Sequence, residues 1–474
     1  MARKRVKKEA PRGDIINYSH ESAYVPPEEA AVQQKLEWFR DQKLGFMVHW
    51  GPYSQLGIVE SWQLSDGDAD WARKGLDWAQ GGDDIREKYF DLARTFNPLR
   101  FHPEEWASFA RDAGFRYLVF TTKHHDGFCM FDSRLSEYKV TAEDCPFHTH
   151  PHADIARHLF DAFRGQGLGV IPYFSKPDWH CPWYWAEGQE KPIGHDRNPT
   201  YDPRENKELW DRFVAFTHGQ MMELVRDLGP VDGLWLDGGQ VRPGKGQDLR
   251  MAEFARKARE HTPGLLIADR TVGGPYENYI TPEMTVPDHA ITVPWESCVI
   301  IGGGFSFAYG AAYKSQRELV HLLMRVVSRG GNLALNLGGQ PDGRLPPQGM
   351  RSALQLGEWL KANGECVYET RLATPHTLTA RAGRQALEVV LTQNARRGRL
   401  YLCALLEEGQ RPIRSLRLPK MARPLRAVLL EGGQEVAVEQ EGSSLVLNLA
   451  MEVDPQKTPA LAIALEYGEG AKQA

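Results

Sequence analysis

The sequence lacks several features that define whole protein classes. No apolar run approaches the roughly 20 residues that a membrane-crossing helix needs, so no membrane partner is expected. Basic charge is not in excess: 57 Lys and Arg stand against 62 Asp and Glu, a net charge of −5. Nucleic-acid binders normally carry a basic surface, so none is expected as a partner. Cysteine is sparse. Cys129, Cys145, Cys181, Cys298, Cys366 and Cys403 form no C-x-x-C pair and no disulfide framework, which suits free thiols in a reducing compartment. No G-x-G-x-x-G follows the first strand-like segment, which counts against a dinucleotide fold. Gly-rich phosphate loops and internal repeats are missing too. The basic start MARKRVKKEA is not followed by the apolar stretch of a secretory leader. A cytoplasmic location is therefore expected, with residues 1–30 as an N-terminal extension.

Tryptophan is absent from one part of the chain, and histidine nearly so. All 13 Trp lie between Trp38 and Trp359, and 15 of the 16 His precede residue 365, His376 being the exception. Beyond that point the texture is LEVVLTQ, RLYLCAL, PLRAVLLEGG and LAIALEYG. Short β-type runs between Gly, Pro, Asn and Asp turns predict an antiparallel β-sandwich over 366–474.

Residues 31–365 alternate differently. Apolar strand-like runs recur as LGFMVHW, RYLVFTTK, LGVIPYFS, DGLWLDGG, GLLIADR, AITVPWE and GNLALNLGG. Helical patterns such as ADIARHLFDAFRGQG and SQRELVHLLMRVVSRGG separate several of them. Apolar residues three and four apart, closed by Gly, mark amphipathic helices. This alternation predicts a parallel sheet with helices outside. Seven clear strands suit a (β/α)8-like barrel with one weak strand.

In such a barrel the active site lies at the C-terminal ends of the strands. Here those ends carry His49 and Trp50; Lys123, His124, His125 and Asp126; Tyr173 and Asp178; Asp237; Asp269 and Arg270; Trp295 and Glu296. His, Arg, Asp and Lys can satisfy sugar hydroxyls, while Trp and Tyr cover apolar ring faces. Cleaving a glycosidic bond needs two carboxyl groups.

The segments WFRDQKLGFMVHWGPYS, FRYLVFTTKHHDGFCMFDS, YFSKPDW, GLWLDGG, ADR, PWESC and GGNLALNLGGQPDG, in this order over 35–365, resemble the signature segments of glycoside hydrolase family 29, the α-L-fucosidases. The resemblance implies a retaining double displacement with Asp237 as nucleophile. It implies that His49, His124, His125, Tyr173, Arg270 and Trp235 contact the sugar or the nucleophile. Trp62 would line the pocket, although here it stands in ESWQL where the family more often has EWY. Glu283, in YITPEMTVPD, is the preferred acid/base. Glu296 is its rival, and Glu60 a further carboxylate to weigh. No metal or other cofactor is implied, and the partner is a fucosylated oligosaccharide or glycoconjugate. Trp183, Tyr184 and Trp185 are candidates for an aglycone platform. The H-x-H-x-H run His148, His150, His152 reads as a loop rather than a metal site. Three alternatives stay open: a metal-dependent barrel hydrolase using His124 or His125, Asp126 and Asp237; another retaining hexosidase; and a silent sugar-binding protein. Oligomeric state is not legible from the sequence.

Overall fold

The computed structural model describes residues 18–65, 70–73, 82–188 and 196–467. The basic start lies outside the described residues.

Seven strands form one parallel sheet. They are β1 (Leu44–Val48), β2 (Tyr117–Lys123), β3 (Gly169–Ser175), β4 (Gly233–Asp237), β5 (Leu266–Asp269), β6 (Glu296–Ile300) and β7 (Asn332–Asn336). Their order is β5-β4-β3-β2-β1-β7-β6. Nearly every strand residue is buried, as near-continuous apolar runs in a helix-covered parallel sheet should be. The helices Pro103–Asp112, Ile155–Gly165, Lys207–Asp227, Met251–His261, Gln316–Ser328 and Pro347–Asn363 fall between or after these strands. Their starts follow local chemistry. The Asp154 side chain accepts from the Arg157 backbone N–H, and Ser315 with Glu318 closes a capping box, which satisfies otherwise orphaned donors.

The sheet's two edge strands, β5 and β6, face a gap that one irregular segment fills. Glu277 bridges to Ala268 of β5, and Ile280 and Glu283 bridge to Trp295 and Cys298. This is the weak eighth strand. Pro282 lacks an N–H and Met284 has a φ of +51°, so no regular ladder propagates through it. Glu283 sits on this segment.

One expected strand is displaced. AITVPWE predicts a strand ending at Glu296, but β6 starts there. Pro294 lacks the N–H that a ladder needs, so pairing begins beyond it. Trp295 and Glu296 therefore lie at the N-terminal end of the strand, opposite to the expected rim.

The C-terminal region pairs antiparallel throughout. Strands β8 (Arg371–Ala382), β9 (Gln385–Asn394), β10 (Arg399–Leu405), β11 (Ile413–Pro419), β12 (Arg426–Leu429), β13 (Ala437–Glu441), β14 (Ser444–Val453) and β15 (Ala460–Glu466) order as β12-β15-β10-β9-β8-β11-β14-β13. The sheet curls around its own apolar core of Leu387, Leu402, Leu416, Leu447 and Ile463. Its other face packs on the barrel through Val390, Tyr401 and Cys403. Helix Gln316–Ser328 fastens the two regions. Arg317 donates to the Pro455 carbonyl at 2.6 Å, His321 lies 2.8 Å from the Pro459 carbonyl, and Arg325 pairs with Glu388 at 2.7 Å.

Candidate active site

A cavity of about 620 Å³ opens at the C-terminal ends of the barrel strands. His49, Trp62, His124, His125, Tyr173, Trp235, Asp237, Arg270 and Glu283 all line it, so the fold brings together nearly the whole expected set.

Asp237 closes β4 and lines the cavity. Tyr173 donates to its Oδ2 at 2.6 Å, and Arg270 donates to its Oδ1 at 2.8 Å. Burial alone would raise the carboxyl's pKa. The Arg270 charge, the neighbouring His125 and the Tyr173 hydroxyl outweigh it and hold Asp237 well below the usual carboxylate range. The group stays ionised across the pH range of ordinary enzyme work. Asp232, earlier on the same segment, has a separate structural job: it pairs with Lys35 at 2.7 Å and accepts from the Val170 N–H at 2.8 Å.

The other nitrogen of the same guanidinium donates to Glu283 Oε2. One planar group thus ties both carboxyls. Its face covers the Trp235 ring, with Cζ 4.7 Å from the centroid. Glu283 is more open than Asp237, its side chain being 36% exposed against 16%.

The three histidines act as neutral rings. Burial pushes His49 and His125 down to about 4, and burial with the adjacent imidazoles pushes His124 well down too. Their tautomers follow from their partners. His49 Nδ1 meets the Asn336 side-chain oxygen at 2.8 Å, while the Asn336 amide donates to the Phe305 carbonyl at 2.6 Å. An amide oxygen only accepts, so His49 carries its proton on Nδ1 and leaves Nε2 as an acceptor. Ser175 donates to the Pro177 carbonyl at 2.8 Å, so it accepts from His125 Nδ1 and leaves that Nε2 as an acceptor as well. His125 Nε2 lies 3.7 Å from Asp237 Oδ2, too far for a direct hydrogen bond. His124 Nδ1 is 2.6 Å from the Ser61 hydroxyl. Trp62 sets its ring edge-on to His125 at 5.1 Å.

Glu296 is in a different place from the rim position expected for an acid/base. It is fully buried and does not line the cavity. It accepts from the Tyr117 hydroxyl and from Trp235 Nε1 at 3.0 Å. Burial raises its pKa to about 7. Because β6 begins at this residue, the carboxyl lies below the pocket and props Trp235 from beneath.

Glu60 is more prominent than its sequence suggests. It lines the cavity yet is buried, and its Oε1 accepts from the Ser306 N–H at 2.6 Å. Burial, reinforced by the nearby Glu283 and Asp237 charges, raises its pKa to about 7. Its φ is +35°, and Thr271 and Met284, next to Arg270 and Glu283, are also at positive φ, +62° and +51°. Such backbone is costly for residues other than glycine and tends to collect where function requires it. The only sequence signal for Glu60 is its place two residues before Trp62. Phe305 also lines the cavity, 5.0 Å from His49, and adds to an apolar wall.

One candidate and one alternative reading lose support. Tyr184 and Trp185 are buried, Trp185 stacking on Trp179 at 5.2 Å, and neither they nor Trp183 line the cavity. The loop packs over the rim because its ring hydroxyl and indole N–H bind the Arg197 and Asn198 carbonyls. The metal-hydrolase alternative also loses support. Ligand atoms of His124, His125 and Asp237 do lie within 4.8 Å of one another. Arg270 and Tyr173, however, already hold both oxygens of Asp237, and a guanidinium there repels a second cation. Asp126 is engaged elsewhere, accepting from Tyr89 at 2.8 Å. His148, His150 and His152 form no metal-ligand group among the described residues.

Residues 15–365 match the sequence profile of the α-L-fucosidases. The chain is 29% identical over 362 residues to a plasma α-L-fucosidase of Rattus norvegicus, covering 73% of this chain and 74% of that protein. Its structure resembles α-L-fucosidase isoenzyme 1 from Paenibacillus thiaminolyticus with a TM-score of 0.74 and 29% identity, over 93% of this chain and 100% of the other. It also shares its fold, with a TM-score of 0.71 and 22% identity over 94% and 98% of the two chains, with a family 29 enzyme from Bacteroides thetaiotaomicron described as a trapped covalent intermediate with 2-fluoro-fucosyl fluoride.

Proposed function

The chain belongs to the α-L-fucosidases of glycoside hydrolase family 29, and on that premise we propose that it releases terminal α-L-fucose from glycans by double displacement, with Asp237 as nucleophile and Glu283 as acid/base. The observation that carries this reading is the shared guanidinium: Arg270 touches both carboxyls, while Tyr173 holds the second oxygen of Asp237. Retaining sites keep their carboxyls about 5–5.5 Å apart and inverting sites about 6.5–9.5 Å. One planar group binding both favours the closer spacing.

Asp237, ionised and oriented, attacks the anomeric carbon. The glycosidic oxygen leaves with a proton from Glu283, whose more open carboxyl lines the same cavity. Glu283 then takes a proton from water, which opens the fucosyl ester and returns the original configuration. His49 and His125 present Nε2 acceptors to sugar hydroxyls, and Trp62, Trp235 and Phe305 cover the apolar face and methyl group. Glu60 is a second reading for the acid, because its carboxyl keeps its proton to about pH 7. Its bond to Ser306 fixes it against the pocket wall, which suits gripping a hydroxyl better. The direct test is proton NMR of early hydrolysis of an aryl α-L-fucoside. α-Fucose should appear first, and β-fucose first would defeat the mechanism.

A further inference from the structure

The cavity volume lies within the range of about 300–1,000 Å³ that holds drug-sized ligands, so it has room beyond one fucose. The extra space has a definite chemistry. Trp71 lines it with 42% of its surface exposed, its ring centre 6.2 Å from that of Trp62. Arg242 and Lys245 line it from the loop that follows Asp237. Resting on the fucosidase reading, we propose that this mouth is an aglycone subsite for an acidic sugar: Trp71 covers the ring face, and Arg242 with Lys245 receives a carboxylate or sulfate.

The charges near the cavity do not all count equally. Arg270 is engaged by Asp237 and Glu283. Arg204, in the adjoining depression, is held by Asp202 at 2.6 Å. Arg242 and Lys245, by contrast, form no ion pair among the described residues. Arg242 makes one long contact, 3.4 Å to the Thr271 carbonyl. Lys245 lines both the main cavity and the depression beside it, so its charge stands where a chain leaving the fucose pocket would pass. Arg197 also lines the cavity; its guanidinium lies 4.4 Å from the Trp62 ring centre, and its charge helps to keep His125 neutral.

Among the described residues, the acidic groups lining the cavity are Asp237, Glu283 and Glu60, all at the fucose end. The polarity therefore runs from carboxylates at the reacting bond to cations at the mouth. Such a gradient draws an anionic substrate in by its leaving side and discriminates between partners through charge. A neutral aglycone would gain only the Trp71 face.

The test uses matched fucosides: fucosyl-glucuronic acid against fucosyl-glucose, and fucosyl-GlcNAc with and without a 6-sulfate, each pair in one linkage. The reading is the ratio of kcat/KM, acidic over neutral, within each enzyme, so partial misfolding cancels. For at least one pair the ratio should exceed one by about fivefold at low salt, the scale of two partly exposed ion pairs, and shrink toward one in high salt. Arg242→Gln combined with Lys245→Gln should abolish the preference. A response to the uronate alone assigns a carboxylate, and to the sulfated sugar alone a sulfate ester. Ratios of one or below for both pairs, or a double variant that keeps the wild-type ratio, would overturn the subsite while leaving fucosidase activity standing. No hydrolysis of any fucoside, 4-nitrophenyl fucoside included, would bring down the underlying function and the subsite with it.

Discussion

The barrel and the C-terminal sheet treat ionisable groups in opposite ways. Around the barrel strand ends, His49, Glu60, Lys123, His124, His125, Asp126, Asp178, Asp269, Arg270 and Glu296 are buried. In the C-terminal sheet the buried polar side chains among the described residues are Thr370, Thr392 and Asn394. Its charges sit outside as pairs such as Arg414–Glu452 and Arg426–Glu435. Burying a charge is unfavourable unless it is paired and hydrogen-bonded. The barrel accepts that cost where chemistry needs neutral histidines and an oriented carboxylate, and offsets it with partners such as Lys123–Asp178 and Lys176–Asp269. The C-terminal sheet has no such need and builds an apolar core.

Breaking the barrel side should have the largest effect at Asp237. Asp237→Gly should lower kcat on an activated fucoside by about 10³-fold or more, the scale of losing a nucleophile that works as part of a unit. Azide should restore part of the rate and give the β-configured azide. Full activity without rescue would remove Asp237 from the mechanism.

Glu283→Ala should cost about 10²–10⁴-fold on natural glycans and much less on substrates with good leaving groups. The pH profile separates it from Glu60. Glu60 is protonated below about 7, so a reaction that took its proton would lose rate as pH rose through that value. If Glu283 is the donor, a Glu60→Gln enzyme keeps whatever alkaline limb the wild type has. Disappearance of that limb in the Glu60 variant would move the acid role to Glu60. On the acid side, activity should fall toward pH 4, where His49 and His125 take up protons and lose their acceptor nitrogens.

Glu296→Gln sharpens the contrast within the barrel itself. It should cost about 1–3 kcal/mol of stability, because the amide accepts with one oxygen where the carboxyl receives both Tyr117 and Trp235. Activity should drop modestly through the loosened Trp235, with no change in leaving-group dependence and no azide rescue. An azide signature at this position would return the acid/base role to it. The smallest effect is expected on the C-terminal surface. Arg414→Ala, which breaks an exposed pair, should leave kcat and Tm at wild-type values within error. A clear loss of activity there would mean that the two regions are coupled more closely than their separate polarities suggest.

The sequence by itself determined the strand–helix alternation, the change of texture near residue 365, and the polar strand ends that include Asp237, Arg270 and the three histidines. These are local: a period-two or period-3.6 pattern, and a polar residue where an apolar run stops, are visible without knowing what packs where. Only the tertiary structure decided which carboxylate faces the pocket. Pro294 shifts the start of β6 to Glu296, so a residue that looked like a rim acid lies beneath the site. Glu283 reaches the rim on a segment too irregular to register as a strand. The proton-holding state of Glu60 and the neutrality of the histidines were equally out of reach, because both depend on burial among groups far apart in the chain. Periodicity reports the near neighbours of a residue. A pKa and a line of approach are set by the dielectric and the charges around it, and those come from the packed whole.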